Sequence, residues 1–322
     1  TQAFFLGEPP EVKNEAVDHD YGGWGELYTF AVVFSDPDYH QNVIQLLVSP
    51  DNSTWYVYDE KTALGVDVTV QFQERFSCKN MSHLPGGIKY WKIKAIDPFN
   101  YTDETPAHEI TLIPDDVSVT VSPASDTEVR RNGTDTAYLE VRVKDTDLGV
   151  YPNDTHVVFW ITENFVNYTV TLEANTTDGY ANVTYDPTCN SLPGYQKWVA
   201  GVIDMCYQQV NSSETQLDVI GQLYTFPIYP PRKAIINRNT SVMLNASVRD
   251  ECGSYVENAS VTWHEEDWDQ IASGYNTTWF VPNSYPLGLH TFYVNATKEH
   301  YDTGTNSTQW YVYGWSAVSW YS

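Results

Sequence analysis

"GIKYWKIKAID" (87–97), "GYQKWVAGVID" (194–204) and "GLHTFYVNATK" (288–298) align without a gap, and their reading decides the fold. Each begins with glycine and carries an aromatic four residues on: Trp91, Trp198 and Phe292. Small or branched side chains then occupy alternate positions, Ile93 and Ala95, Ala200 and Val202, Val294 and Ala296. A period of two marks a strand with one buried face. The glycines are 107 and 94 residues apart, so the repeating unit is about 100 residues long, the size of one β-sandwich.

A second set of segments lies upstream of these. "YTFAVVFSDPD" (28–38), "AYLEVRVKDTD" (137–147) and "VMLNASVRDEC" (242–252) alternate and then end in an acid-rich turn. The segments that follow, "VVFWITE" (157–163) and "SVTWHEE" (260–266), bring Trp160 and Trp263 to the place where such sandwiches often bury a ring on strand C; the first unit has "VIQLLVS" (43–49) there. Clusters of Gly, Pro, Asn and Asp separate the segments, and no stretch keeps a helical apolar period over three turns. The chain therefore reads as all-β, three tandem immunoglobulin-like β-sandwich domains at 11–114, 115–220 and 221–313, with tails at 1–10 and 314–322.

Composition bounds the partners. Aromatics make up 15% of the 322 residues, with 24 Tyr and 11 Trp, which is enough large apolar area for three cores. Acids outnumber bases 42 to 17, for a formal net charge of −25. Phosphate binding needs Lys and Arg, so a nucleic-acid partner is excluded and an anionic membrane surface disfavoured. No apolar run reaches the roughly 18 residues a membrane span needs. The chain opens at Thr1 without a basic, then apolar, leader, so any signal peptide would already have been removed.

N-x-S/T triplets occur at Asn52, Asn80, Asn100, Asn132, Asn153, Asn167, Asn175, Asn182, Asn211, Asn239, Asn245, Asn258, Asn276, Asn295 and Asn306, 15 of the 21 asparagines. Chance placement would give roughly three or four, so the total points to an exported chain with covalent N-linked glycans. Parity agrees. Asn182, Asn245 and Asn295 each lie between two apolar residues of an alternating segment, on the face away from the core, where a glycan stays in water.

The "SDPD" turn closing the presumed B strand at Asp36 to Asp38 is one of three further features. The others are the glycine-to-aromatic F strand ending in Asp97 or Asp204, and closing runs such as "YVNATKEHYDTGTNSTQWYVY" (293–313). With these the chain resembles the tandem immunoglobulin-like modules of prokaryotic, especially archaeal, cell-surface glycoproteins: S-layer subunits, adhesins and extracellular filament proteins. The resemblance spans nearly the full length and implies an extracellular or cell-surface location and a modular architecture more than a specific task.

Four cysteines in an exported chain usually form two disulfides, with three possible pairings. In the sandwich topology Cys78 and Cys189 precede the aligned glycines, in the E–F connection at the C-terminal end of their domains. Cys206 follows Asp204 in the F–G turn at the N-terminal end of domain two, and Cys252 lies in the B–C turn at the N-terminal end of domain three. Strand F would hold Cys189 roughly 30 Å from Cys206 at about 3.3 Å per residue, whereas a disulfide needs Cα atoms within about 7 Å. Head-to-tail stacking instead brings Cys78 to Cys206 and Cys189 to Cys252, so that both bonds cross domain junctions. Free or intermolecular thiols are the alternative.

Other chemistry is weaker. Asp36, Asp38 and Asp97 could converge on calcium at one end of domain one, as could Asp145, Asp147 and Asp204 in domain two; but solvated turn acids are common, and domain three has Lys298 in place of the F-strand acid. "HEED" (264–267) lacks the second histidine of a zinc pattern, and no nucleophile-elbow, phosphate-loop or dinucleotide motif occurs. No catalytic residue, enzyme activity or non-covalent cofactor is expected. In "STWYVYD" (53–59), Trp55 and Val57 alternate with Tyr56 and Tyr58, as in a strand with an apolar core side and a half-buried tyrosine side, and core packing is favoured over a sugar-binding face.

Phe4, Phe5 and Leu6 before Pro9 and Pro10, and Trp315 and Trp320 after the last strand, are short apolar tails. Strand addition to a neighbouring copy would bury them and build a filament; packing back on their own domain, or linking to a domain outside this chain, is the alternative. The functional expectation is a structural, heavily glycosylated subunit of an extracellular filament or surface layer that partners with copies of itself. The rival is an adhesin or receptor ectodomain binding glycan or protein.

Overall fold

A computed structural model describes residues 7–78 and 87–316. Among them there is no helix. The first domain contains β1 (Glu11–Val17), β2 (Tyr21–Gly23), β3 (Leu27–Ser35), β4 (Asn42–Ser49), β5 (Tyr56–Ala63), β6 (Val68–Arg75), β7 (Tyr90–Ile96), β8 (Thr102–Glu104), β9 (His108–Glu109) and β10 (Thr111–Ile113). The second contains β11 (Val117–Val121), β12 (Glu128–Arg130), β13 (Ala137–Asp145), β14 (His156–Thr162), β15 (Tyr168–Asn175), β16 (Tyr180–Tyr185), β17 (Gly194–Val202) and β18 (Thr215–Tyr229). The third adds β19 (Ile235–Asn237), β20 (Thr240–Asp250), β21 (Ser260–His264), β22 (Gln270–Ser273), β23 (Asn276–Val281), β24 (Gly288–Thr297), β25 (Tyr301–Asp302) and β26 (Gly304–Tyr313).

One topology is used three times. The A-B-E sheets are β1-β3-β6, β11-β13-β16 and β18-β20-β23; the facing sheets are β5-β4-β7-β8, β15-β14-β17-β18 and β22-β21-β24-β26. In each domain a short strand after A crosses over to run parallel to the last one: β2 on β10, β12 on β18, β19 on β26. This is an immunoglobulin-like sandwich, with separate cores spanning Val12–Ile110, Val117–Val219 and Leu223–Val312.

The repeated glycine has a backbone cause. Gly87, Gly194 and Gly288 take φ of 74°, 132° and 127°, which side-chain-bearing residues rarely adopt. The aromatic that follows is buried in all three units, and each ring meets another in the core: Trp91 meets Phe30 of the facing sheet at 5.0 Å, while Trp198 meets Phe159 at 6.1 Å and Phe292 meets Trp310 at 4.4 Å on neighbouring strands of the same sheet. Burial of one such side chain contributes about 1.5–3 kcal/mol.

Two side-chain expectations change. Trp263 is fully buried, but Trp160 is only half-buried; the core ring on that strand is Phe159, one residue earlier. The neighbouring positions Val157, Val158, Phe159 and Ile161 are all apolar and buried, so alternation could not fix the phase of this strand. In the first domain Tyr56 and Tyr58 pack on the core, while Val57 is exposed and Trp55 lies on the outer face under Lys92, whose Nζ is 4.5 Å from the ring. Core packing in "STWYVYD" thus belongs to the tyrosines.

The third domain begins inside a strand of the second. β18 is an unbroken strand of 15 residues: its first part pairs with β17, its second with β20. A boundary at residue 220 therefore falls within one strand, and no flexible linker separates these domains.

Candidate functional site at the domain junctions

Cys78 is bonded to Cys206 and Cys189 to Cys252, with Cα separations of 5.6 and 5.7 Å. These are the pairs expected from head-to-tail stacking. Each joins the E–F connection of one domain to an N-terminal turn of the next, so both seams are covalent.

The second seam has a further tie that the sequence did not reveal. Arg131, just after β12, has a side chain only 2% exposed. Its guanidinium donates to Glu251 through Nε, to Asp250 Oδ2 at 2.9 Å and to the carbonyl of Ser191 at 2.7 Å. Glu251 in turn accepts the N–H of Gln222 at 2.8 Å, and Asp250 Oδ1 accepts the N–H groups of Cys252 and Ser254. One arginine of domain two thereby holds the B–C turn of domain three beside the disulfide. Outside it, His300 Nδ1 lies 2.7 Å from Asp218 Oδ1, and Arg130 Nε donates to Asp302 Oδ2 at 2.9 Å.

The first seam is built differently. A cavity of about 300 Å³ there is lined by Trp24, Arg75 and Phe76 on one side and Leu148, Val150 and Tyr207 on the other. Asp115, in the connection between the domains, is buried; its N–H donates to Cys206 O at 2.9 Å, and its carbonyl accepts the N–H of Gln208 at 2.8 Å. The carboxylate lies against Gly23 and Gly25, where a Cβ would come within 2.9 Å of its oxygens. Burial pushes the Asp115 pKa up to about 7, with Asp145 and Asp147 adding like charge. Between the usual carboxylate range and pH 7 the folded chain thus holds a proton that the unfolded chain releases, and this group's stability contribution falls as pH rises through that window. Asp115→Asn is expected to raise the melting temperature markedly at pH 8 and far less at pH 4, below which the folded and unfolded chains hold the same proton. An equal shift at both values in thermal melts would contradict the assignment.

The acids considered for calcium act mainly as turn caps. Asp36 accepts the N–H groups of Asp38 and His40 and the Asn42 side-chain amide at 2.6 Å. Asp97 Oδ1 accepts those of Phe99 and Tyr101. Asp145, Asp204 and Asp250 cap equivalent turns. Among the described residues the metal-compatible cluster is Asp36, Asp38 and His40; Asp97, which caps its own F–G turn, is not in it. Strand-end spacing could not separate capping from ligation.

Fourteen sequon asparagines lie among the described residues; Asn80 is outside them. Twelve are exposed, Asn245 and Asn295 are half-buried, and none lies in a core. Asn52, Asn100, Asn239 and Asn258 have positive φ, which by itself favours asparagine. Asn182, Asn245, Asn276 and Asn295 have no such cause: they sit in strands, where asparagine is disfavoured, with the Ser or Thr two residues on pointing the same way. Of the tail residues, Trp315 is 88% exposed, and Phe4, Phe5, Leu6 and Trp320 lie outside the described residues.

No family model and no curated protein matches the sequence. Solved structures resemble the fold. A tetra-tandem repeat from the extending region of a large adhesion protein has 14% identity and a TM-score of 0.39, covering 94% of this chain and 74% of that one. The three N-terminal domains of the highly immunogenic outer capsid protein of bacteriophage RB49 have 10% identity and a TM-score of 0.36, covering 94% and 98%. Trypsin-activated alpha-2-macroglobulin from Escherichia coli has 10% identity and a TM-score of 0.27; the match covers 96% of this chain, which spans only 24% of that protein. Each is a likeness in β-sandwich arrangement alone.

Proposed function

We propose that the chain is a structural segment of an extracellular surface protein, a stack of sandwiches that keeps a fixed length and resists extension. The observation that carries this reading is that both disulfides cross domain seams. A bond within a domain would stabilise that domain; a bond across a seam removes the hinge that two-domain chains ordinarily have. Disulfides persist outside the reducing cytosol, and the sequons and net charge of −25 suit a hydrated, sugar-coated exterior. The role is mechanical, without catalysis and without a non-covalent cofactor.

The finer reading is a glycosylated subunit of a prokaryotic, especially archaeal, filament or surface layer, assembling with copies of itself by strand addition. The sheets end in strands with one unpaired edge, β15 and β23 among them, and such edges are templates for another strand. Imaging the native particle tests it: a regular helical or lattice assembly, abolished by deleting residues 1–8, is the expected result. Dispersed monomers, or assembly unchanged by the deletion, would count against strand donation from the N-terminus.

A further inference from the structure

The third domain contains a groove of about 810 Å³ beside β20, lined by Ser247, Tyr255, Glu257, Asn258, Ser260 and Tyr275, among others. It opens where a sheet partner ends. β23 pairs with β20 only as far as Asn276 opposite Asn245. Beyond that point the edge of β20 is met by the 255–260 segment, with Val256 N–H donating to Val248 O at 3.0 Å, and by Tyr275, whose carbonyl accepts Ala246 N–H at 2.8 Å. The Tyr275 hydroxyl pins the segment, donating to Val256 O at 2.8 Å and accepting Ala259 N–H at 3.0 Å.

Tyr255 is 68% exposed yet held in place. The Arg249 guanidinium lies 4.2 Å from its ring centroid and donates to its hydroxyl at 2.6 Å. An exposed aromatic fixed in this way is a preorganised platform, and the neighbouring Ser, Glu and Asn side chains supply hydrogen-bonding groups. Aromatic face plus polar rim is the chemistry of a saccharide site, the ring taking the C–H face of a sugar and the rim its hydroxyls.

Asn258 is both a sequon residue and part of the lining, and Asn245 and Asn276, in register with each other, adjoin the lining residues Ala246 and Tyr275. A sugar on Asn258 would be tethered at the groove, and tethering of this kind gives effective concentrations of about a millimolar or more, so a weak contact suffices. We propose that this groove seats the N-linked glycan of Asn258, whose first sugars stack on Tyr255. The proposal rests on the reading that the chain is exported and glycosylated.

Glycopeptide mass spectrometry of the native protein, combined with thermal melts of Asn258→Gln, Tyr255→Ser and the double variant made in the same host, tests it. The expected result is a modified Asn258, and a melting-temperature loss of about 3 °C for Tyr255→Ser that shrinks at least twofold in the Asn258→Gln background. Millimolar glucose or N-acetylglucosamine should raise the melting temperature of Asn258→Gln but not of the glycosylated protein. A chain with no sugar at any sequon would overturn the glycosylation reading and this proposal with it. Sugars elsewhere but not on Asn258 would overturn the proposal alone. Equal Tyr255→Ser losses in both backgrounds would also overturn it, as would binding of the free sugars to the intact protein.

Discussion

Replacing Cys78 and Cys206 with serine is expected to convert the first junction into a hinge, whereas the same change at Cys189 and Cys252 should leave the second junction aligned. The two bonds close loops of 128 and 63 residues, and removal of either costs about 2–5 kcal/mol by the usual range for native disulfides. Their mechanical consequences differ. Without Cys189–Cys252, β18 still runs through both domains and Arg131 still pairs with Asp250 and Glu251. Without Cys78–Cys206, the first seam retains the backbone contacts of Asp115 and the apolar walls around Trp24 and Leu148. Small-angle scattering should show the maximum dimension and its spread changing for the first variant and holding for the second. Equal loosening of both would show that the continuous strand stiffens nothing.

Arg131→Ala should be among the most damaging single substitutions in the chain, because it strands two acids that the seam has removed from water. Breaking a buried pair by removing one partner costs about 3–5 kcal/mol, and for a domain of this size that lowers the melting temperature by about 10 °C or more. Arg130→Ala is the control. Its side chain is 48% exposed, its partners are Asp302 and Glu128, and such surface pairs are worth about 0–1 kcal/mol. Calorimetry on the two variants separates the cases: similar small losses for both would mean that Arg131 is a spectator. Replacing Glu251 with glutamine in the Arg131→Ala background should recover part of the loss, since one stranded charge is then removed.

The fold was legible because its signals are local and repeated. Gly87, Gly194 and Gly288 answer to a backbone angle, the buried rings after them to one sheet face, and both causes act within a few residues. The disulfide pairs followed once topology fixed which turn lies at which end. Arg131 was not legible: its partners are about 120 residues away, and nothing in the spacing of one arginine marks it as buried. Trp160 was misplaced because a strand with adjacent apolar residues has no unique phase. The continuity of β18 escaped because its two halves pair with different domains, and the boundary drawn at residue 220 cuts "TQLDVIGQLYTFPIY" in two. Gly221 at that point makes room for the Tyr301 ring, 2.7 Å from where a Cβ would sit.

Distances between spin labels carried on unnatural amino acids at Glu60 and Gln270, both exposed and in the first and third domains, test the stitched stack most directly. The account predicts one narrow distance distribution in the oxidised protein, broadening when the disulfides are reduced. A broad distribution before reduction would show that the seams bend with their bonds intact, and the fixed-length stack would be wrong.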